Sequence, residues 1–259
     1  MKSVLHRADS RGFADHGWLK SHHTFSFADY YHPERMHFGM LRVLNDDQVA
    51  GGKGFGAHPH NNMEIVSIPL HGDLAHKDNM GHEQVIRQGD VQIMSAGTGV
   101  VHSEYNHHIE DPVHFLQIWV LPRERNIAPR YAQQHFASAE RHNRLQVVVS
   151  SLRDTPDALD INQDASFVLG AFDPGFQTEY TLRHSNSGVY VFVLEGQLKA
   201  VDESLGRRDG LGIWDLVDIL PSLKEGDSQA TLTPMGYVSP HFSQRCVHIR
   251  CRVYFGSFY

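Results

Sequence analysis

Three histidines and two glutamates stand at spacings that suit a metal. His58-Pro59-His60 is followed by Glu64, and His102-Ser103-Glu104 comes later in the chain. In an extended segment residues i and i+2 point to one side, so His58 can aim with His60, and His102 with Glu104. Pro59 lacks an N–H, which suits a strand start or an edge. Neutral imidazole nitrogens with a carboxylate, and positions left open, suit Fe(II), Cu(II), Mn(II), Ni(II) or Zn(II). A closed structural zinc site usually draws on thiolates, and Cys246 and Cys251, the only cysteines, are remote from this stretch. With 20 histidines in the chain, one His-x-His pair carries little weight. Two such i/i+2 pairs, each beside a glycine-bounded apolar segment, carry more.

The elements that must position these side chains read as short strands. Ile65–Leu70 is an apolar run that Gly72 ends in a hairpin-like tight turn, and Asp73–Asp78 returns with alternation. Asp90–Met94 follows Gly89, and Val113–Val120 closes this half as a strong strand. Upstream, Thr24–Phe27 and Leu41–Leu44 read as strands ended by Asp29 and by Asn45-Asp46-Asp47. The aromatic cluster around Trp18, Phe25 and Phe27 reads as core, and His22 and His23 as structural or solvated. His71, His76, His82, His107, His108 and His114 have no assigned role. Many short strands, glycine turns and few helical windows predict an antiparallel barrel or sandwich. Residues 121–144 lose the alternation and read as a linker, with a second domain beginning near Leu145–Val149.

Composition narrows the function classes. A chain of 259 residues, 41% hydrophobic and 20% charged, can bury a real core. Lys+Arg 23 against Asp+Glu 30 gives a formal charge of −7 with no basic stripe, which disfavours direct nucleic-acid binding. The first ten residues lack the apolar core of a secretory signal, and no apolar run is long enough to cross a bilayer. Two cysteines exclude a disulfide scaffold, so a cytoplasmic address is expected.

The second half repeats the first weakly. Adding 124 carries Ile65–Leu74 onto Val189–Leu198, strand, tight turn and strand in both. The same offset puts Leu182 at His58, His184 at His60 and Gly188 at Glu64. An offset of 120 puts Ser222 and Lys224 at His102 and Glu104. A real repeat would give the second domain the fold without the metal, with His184 structural.

Gly52-x5-His58-x-His60-x3-Glu64 resembles the first cupin motif, and Gly89-x5-Ser95-x-Gly97 with His102-x3-Asn106 resembles the second. With His16-Gly17-Trp18, Thr24–Phe27, Met94–Gly99 and His102–Asn106, the chain is similar to the pirin family of bicupins. Seven residues separate Glu64 from Gly72, and four separate Gly97 from His102. Both spacings fit pirins better than cupins at large. The resemblance implies an all-β chain of two cupin (double-stranded β-helix, jelly-roll) barrels: residues 1–135 as a metal-binding cupin domain and 136–259 as a cupin-like domain without a complete metal site. It implies one mononuclear metal, Fe(II) first and Cu, Ni, Mn, Co or Zn as substitutes, held by His58, His60, His102 and Glu104. Cupins in general use the carboxylate at Glu64; the pirin pattern favours Glu104 and leaves Glu64 as a supporting or pocket group.

Bacterial pirins with all four ligands are associated with quercetin 2,3-dioxygenase activity. The resemblance therefore implies a small aromatic substrate and O2, with Glu104 as a possible proton acceptor as well as a ligand. Two rivals are a metal- or redox-sensing regulator that binds a protein partner, and another cupin oxygenase or isomerase. The tail beyond Pro234-Met235-Gly236 matches nothing in the resemblance; Cys246-x4-Cys251 with His248 reads as a terminal strand rather than a metal site.

Overall fold

The computed structural model describes residues 1–151, 155–182, 187–215, 229–233 and 251–258. Among them are 21 strands, two short 3-10 turns and no α-helix. His184, Ser222, Lys224, Cys246 and His248 lie outside the described residues. Contacts divide the chain into two compact units. The N-terminal unit holds Arg11–Ala137 and Val149–Asp164; the C-terminal unit holds Met1–Ser10, Ser138–Val148 and Ala165–Tyr259.

The larger sheet of the N-terminal unit runs, edge to edge, β12 (Arg130–His135), β9 (Asp90–Ser95), β6 (Glu64–His71), β11 (Val113–Val120), β4 (Leu41–Val49), β3 (Leu19–His23) and β2 (Gly12–Asp15). The smaller runs β5 (Gly54–His60), β10 (Val100–Asn106), β7 (Leu74–Asp78) and β8 (Glu83–Ile86). Leu19, Val49, Val113 and Phe115 from the first sheet and Leu74 and Ile86 from the second form one buried cluster. Each such side chain stabilises the fold by about 1.5–3 kcal/mol, so this seam holds the two sheets face to face.

The C-terminal unit repeats this plan. Its larger sheet runs β1 (Lys2–His6), β19 (Gly210–Trp214), β16 (Gly188–Glu195), β21 (Cys251–Phe258), β14 (Ala165–Phe172) and β13 (Leu145–Ser150). Its smaller runs β15 (Thr178–Thr181), β20 (Gln229–Thr233), β17 (Leu198–Ala200) and β18 (Glu203–Leu205). The offset of 124 takes the bounds of β6 onto those of β16 (64 + 124 = 188 and 71 + 124 = 195). In both units the next glycine, Gly72 at φ 72° and Gly196 at φ 85°, takes the left-handed conformation that glycine adopts without a Cβ clash.

The structure corrects four local expectations. Gly72 does not close a hairpin, because β6 lies in the larger sheet and β7 in the smaller; the turn carries the chain from one to the other. Residues 121–144 contain β12, paired along its length with β9. As a polar edge strand with half-exposed side chains it shows no clean alternation. The strand near Thr24 is Leu19–His23 instead, and Phe25 leaves the sheet to be buried. Asn45-Asp46-Asp47 does not end β4, which runs on to Val49 because Asn45 and Asp47 are paired to β3 through their side chains.

Candidate metal centre

β10 lies between β5 and β7 and alternates strictly. Val100, His102, Glu104 and Asn106 are buried, while Val101 and Tyr105 are exposed. On one side His102 pairs with His58 and Val100 with His60. The register then shifts, so that Glu104 faces Phe55: β5 carries one extra residue, a β-bulge. In that bulge the His58 ring donates its Nδ1–H to the Gly56 carbonyl at 2.7 Å. A carbonyl only accepts, so Nδ1 of His58 carries a proton, and in the neutral imidazole Nε2 is then the free lone pair.

The rings of His58, His60 and His102 converge. Centroids are 4.5 Å apart for His58 and His102, and 4.9 Å for each of the other two pairs. One nitrogen from each ring lies within 4.8 Å of the others. Burial, with the charge of His58 second, lowers His60 to about 4. Burial, followed by His58, His60 and His76, lowers His102 to about 2. His60 and His102 are neutral near pH 7, with lone pairs available. The Nε2 of His102 is buried and has no hydrogen-bond partner, a state that costs about 1–3 kcal/mol unless a ligand relieves it. The donor set therefore fits a divalent metal of the imidazole-binding kind.

Glu104 belongs to a second, overlapping group with His76 and His102, whose donor atoms again lie within 4.8 Å. Its Oε2 accepts from Gln117 Nε2 at 2.6 Å. The Ser67 hydroxyl stands 3.1 Å from Oε1 and 2.9 Å from the Gln117 carbonyl oxygen, so its one proton serves either. Burial raises Glu104 to about 7, against the lowering effect of these two bonds. Glu64 lies apart from both groups. Its Oε2 accepts from Ser95 at 2.8 Å and from the Asn162 amide at 3.2 Å, which ties Asn162 to β6. Burial also raises the Glu64 carboxyl.

His58, His60 and Glu104 line a cavity of about 550 Å³. Phe27, Tyr30, Phe55 and Trp119 give it aromatic walls, with Trp119 edge-on to His60 at 4.9 Å and to Phe27 at 5.3 Å. A polar wall of Ser21, His23, Asn45 and Asp47 completes it. The aromatic cluster expected as core is thus split: Phe25 is buried, and Phe27 faces the cavity. His23 is buried against Asn45 at 3.0 Å and also lines the cavity. Ser67 and Gln117 carry no spacing signal of their own, and Asp47 reads from sequence as part of a strand end rather than as a cavity residue. His76 and Asp78 did carry one, the inward alternation of β7.

Two antiparallel sheets packed face to face, built twice, with the described histidine and glutamate donor groups confined to the first copy, define a bicupin with a candidate metal centre. The pirin family model matches residues 5–120, and that of the quercetinase C-terminal cupin domain matches 147–230. A protein named quercetin 2,3-dioxygenase from Escherichia coli (strain K12) is 41% identical over 215 residues, 82% of this chain and 89% of that one. A pirin-like protein from Caulobacter vibrioides is 41% identical over 207 residues, 80% of this chain and 88% of that one. The chain belongs to the pirin family. Among solved structures, Escherichia coli YhhW in complex with nickel(II) superposes with a TM-score of 0.84 at 34% identity, covering 99% of each chain. Among the described residues no helix is long and apolar enough to cross a membrane.

Proposed function

We propose that this chain is a metal-dependent dioxygenase of the pirin type that opens a flavonol such as quercetin with O2 and releases carbon monoxide. His58, His60, His102 and Glu104 would hold one divalent metal, Fe(II) in the resident state. The observation that carries the reading is the placement of the His58 and His60 imidazoles and Glu104 together on the wall of an aromatic cavity, with His102 grouped with both. The nickel(II) complex of YhhW and the name of the 41% identical relative support it.

When bound, the metal would supply Lewis acidity toward substrate oxygens and redox capacity toward O2. The protein's own contribution starts with Glu104, whose carboxylate accepts the proton of the flavonol 3-hydroxyl. In the metal-free chain burial makes that carboxyl a stronger proton acceptor than an exposed one. Ser67 and Gln117 keep it aimed. Phe27, Phe55 and Trp119 stack against the flat substrate and exclude water.

The test is aerobic loss of quercetin with oxygen uptake, measured on metal-quantified protein. Glu104→Gln is expected to cut turnover by roughly 10²–10⁴-fold, the usual worth of a positioned acid–base group. Full turnover by a metal-loaded Glu104→Gln protein would remove the proton-acceptor role. Bound metal without turnover in the unmutated chain would favour a metal-sensing protein that binds a protein partner.

A further inference from the structure

Behind the imidazole cluster, on the side away from β5, lies a chain of side chains that the proposed reaction does not use. β7 places Asp78 opposite His102 and His76 opposite Glu104. His102 Nδ1 stands 3.4 Å from His76 Nδ1, and His76 Nε2 stands 3.1 Å from Asp78 Oδ2. His76 and Asp78 have fully buried side chains. Asp78 Oδ1 accepts the amides of Met80 and His82 at 2.9 and 3.0 Å, and Oδ2 also meets His82 Nδ1 at 2.9 Å. Tyr131 lies against both imidazoles, 4.7 Å from the His76 ring and 4.8 Å from that of His82, which holds the array together.

The direction of this chain follows from which atoms can donate. A carboxylate only accepts, so the His76 nitrogen facing Asp78 carries a proton. In a neutral His76 the other nitrogen, Nδ1, is then an acceptor. His102 must supply the proton between the two Nδ1 atoms, which leaves its Nε2 bare. That is the buried nitrogen with no hydrogen-bond partner. His58 reaches the same state through the Gly56 carbonyl. Carboxylates that orient ligating histidines usually do so directly; here an intervening histidine transmits the effect.

We propose that Asp78, acting through His76, is the positioning residue that fixes His102 as its Nδ1–H tautomer and presents Nε2 to the metal. This rests on the reading of His102 as a ligand, and it makes His76 a supporting group although His76 shares a donor group with His102 and Glu104. Burial alone would push the Asp78 carboxyl up, but the bonds from His76, His82 and Met80 outweigh it and hold the group below the usual range, as a fixed anion requires.

The tautomers are read by long-range ¹H–¹⁵N correlation in metal-free, histidine-labelled protein. The expected result is a proton on Nδ1 of His102 and on Nε2 of His76. In Asp78→Asn the His102 signal should move toward a tautomer mixture, and Ni(II) affinity measured by calorimetry should fall about 10–100-fold. Asp90→Asn is the matched control, a buried carboxylate bonded to Gln133 and His135 in the same unit; it should change neither. A proton on Nε2 of His102, a doubly protonated His76, or equal losses in Asp78→Asn and Asp90→Asn would overturn the assignment. Expected tautomers in a protein that binds no Ni(II) would instead sink the metal reading and leave the tautomer assignment standing.

Discussion

At the scale of single residues, burial decides what the ionisable groups of the N-terminal unit can do. It strips protons from His60 and His102 and raises the Glu104 carboxyl to about 7, while Asp78 is the one anion among the groups that act on His102. The choice between two carboxylates is testable here. Glu64→Gln should leave metal stoichiometry unchanged, while Glu104→Gln should weaken metal binding; plasma emission analysis of dialysed proteins decides, and the reverse pattern would move the ligand to Glu64. A second prediction concerns Asp47, which burial raises to about 7 despite its bond to Ser21. The unfolded chain releases this proton near pH 4, and the folded chain holds it until about 7. Folding stability should therefore fall as pH rises through that window. Asp47→Asn should gain on the order of a few kcal/mol relative to the unmutated metal-free chain at pH 8, and nothing at pH 4, in thermal melts. A gain equal at both pH values would contradict it. Sequence spacing carried the three histidines and both glutamates into consideration. The i/i+2 face shared with His102 and the pirin pattern favoured Glu104 over Glu64; what sequence did not show is that the two glutamates lie in different sheets. Ser67, Gln117 and Asp47 act through cross-strand neighbours distant in sequence, which no local pattern encodes.

At the scale of elements, the bulge in β5 is the device that brings the two histidine pairs together. Without the extra residue, Glu104 would face Gly56 rather than Phe55, and His58 would lose the carbonyl that fixes its proton. Close approach of the two strands depends on Gly54, where a Cβ would collide with the Glu104 carbonyl and the Tyr105 backbone. Gly54→Ala should cost about 1–3 kcal/mol, as overpacking does. It should also lower Ni(II) affinity by pushing β5 off β10. An unchanged denaturation midpoint and affinity would show that the strands tolerate the displacement. Most strands were legible as short alternating or apolar runs bounded by glycine. What sequence hid was partnership: Gly72 reads as a hairpin, yet the strands it joins lie in different sheets. β12 escaped notice because a polar edge strand whose side chains are nearly all half-buried shows no clean alternation.

At the scale of the whole molecule, the chain carries one strand plan twice, and the repeat seen at offset 124 is its trace. Strand order agrees as well as strand pattern, with β9-β6-β11-β4 answered by β19-β16-β21-β14, and β5-β10-β7-β8 by β15-β20-β17-β18. β20 takes the place of β10, and its sequence Gln229–Thr233 contains no histidine, cysteine or carboxylate. That correspondence replaces Ser222 and Lys224 as the counterparts of His102 and Glu104. The tail that resembled nothing ends in β21, paired along its length between β14 and β16. Removing residues 251–259 should expose 165–215 to limited proteolysis, because a central strand and both its ladders are lost; protection equal to the full chain would contradict that role. The proposed metal centre is tested by anomalous diffraction at the metal edge from crystals of protein loaded with one divalent metal. One site per chain is expected, in contact with His58, His60, His102 and Glu104. A peak held by His76 or Glu64, a second peak in the C-terminal unit, or no peak after loading would contradict it.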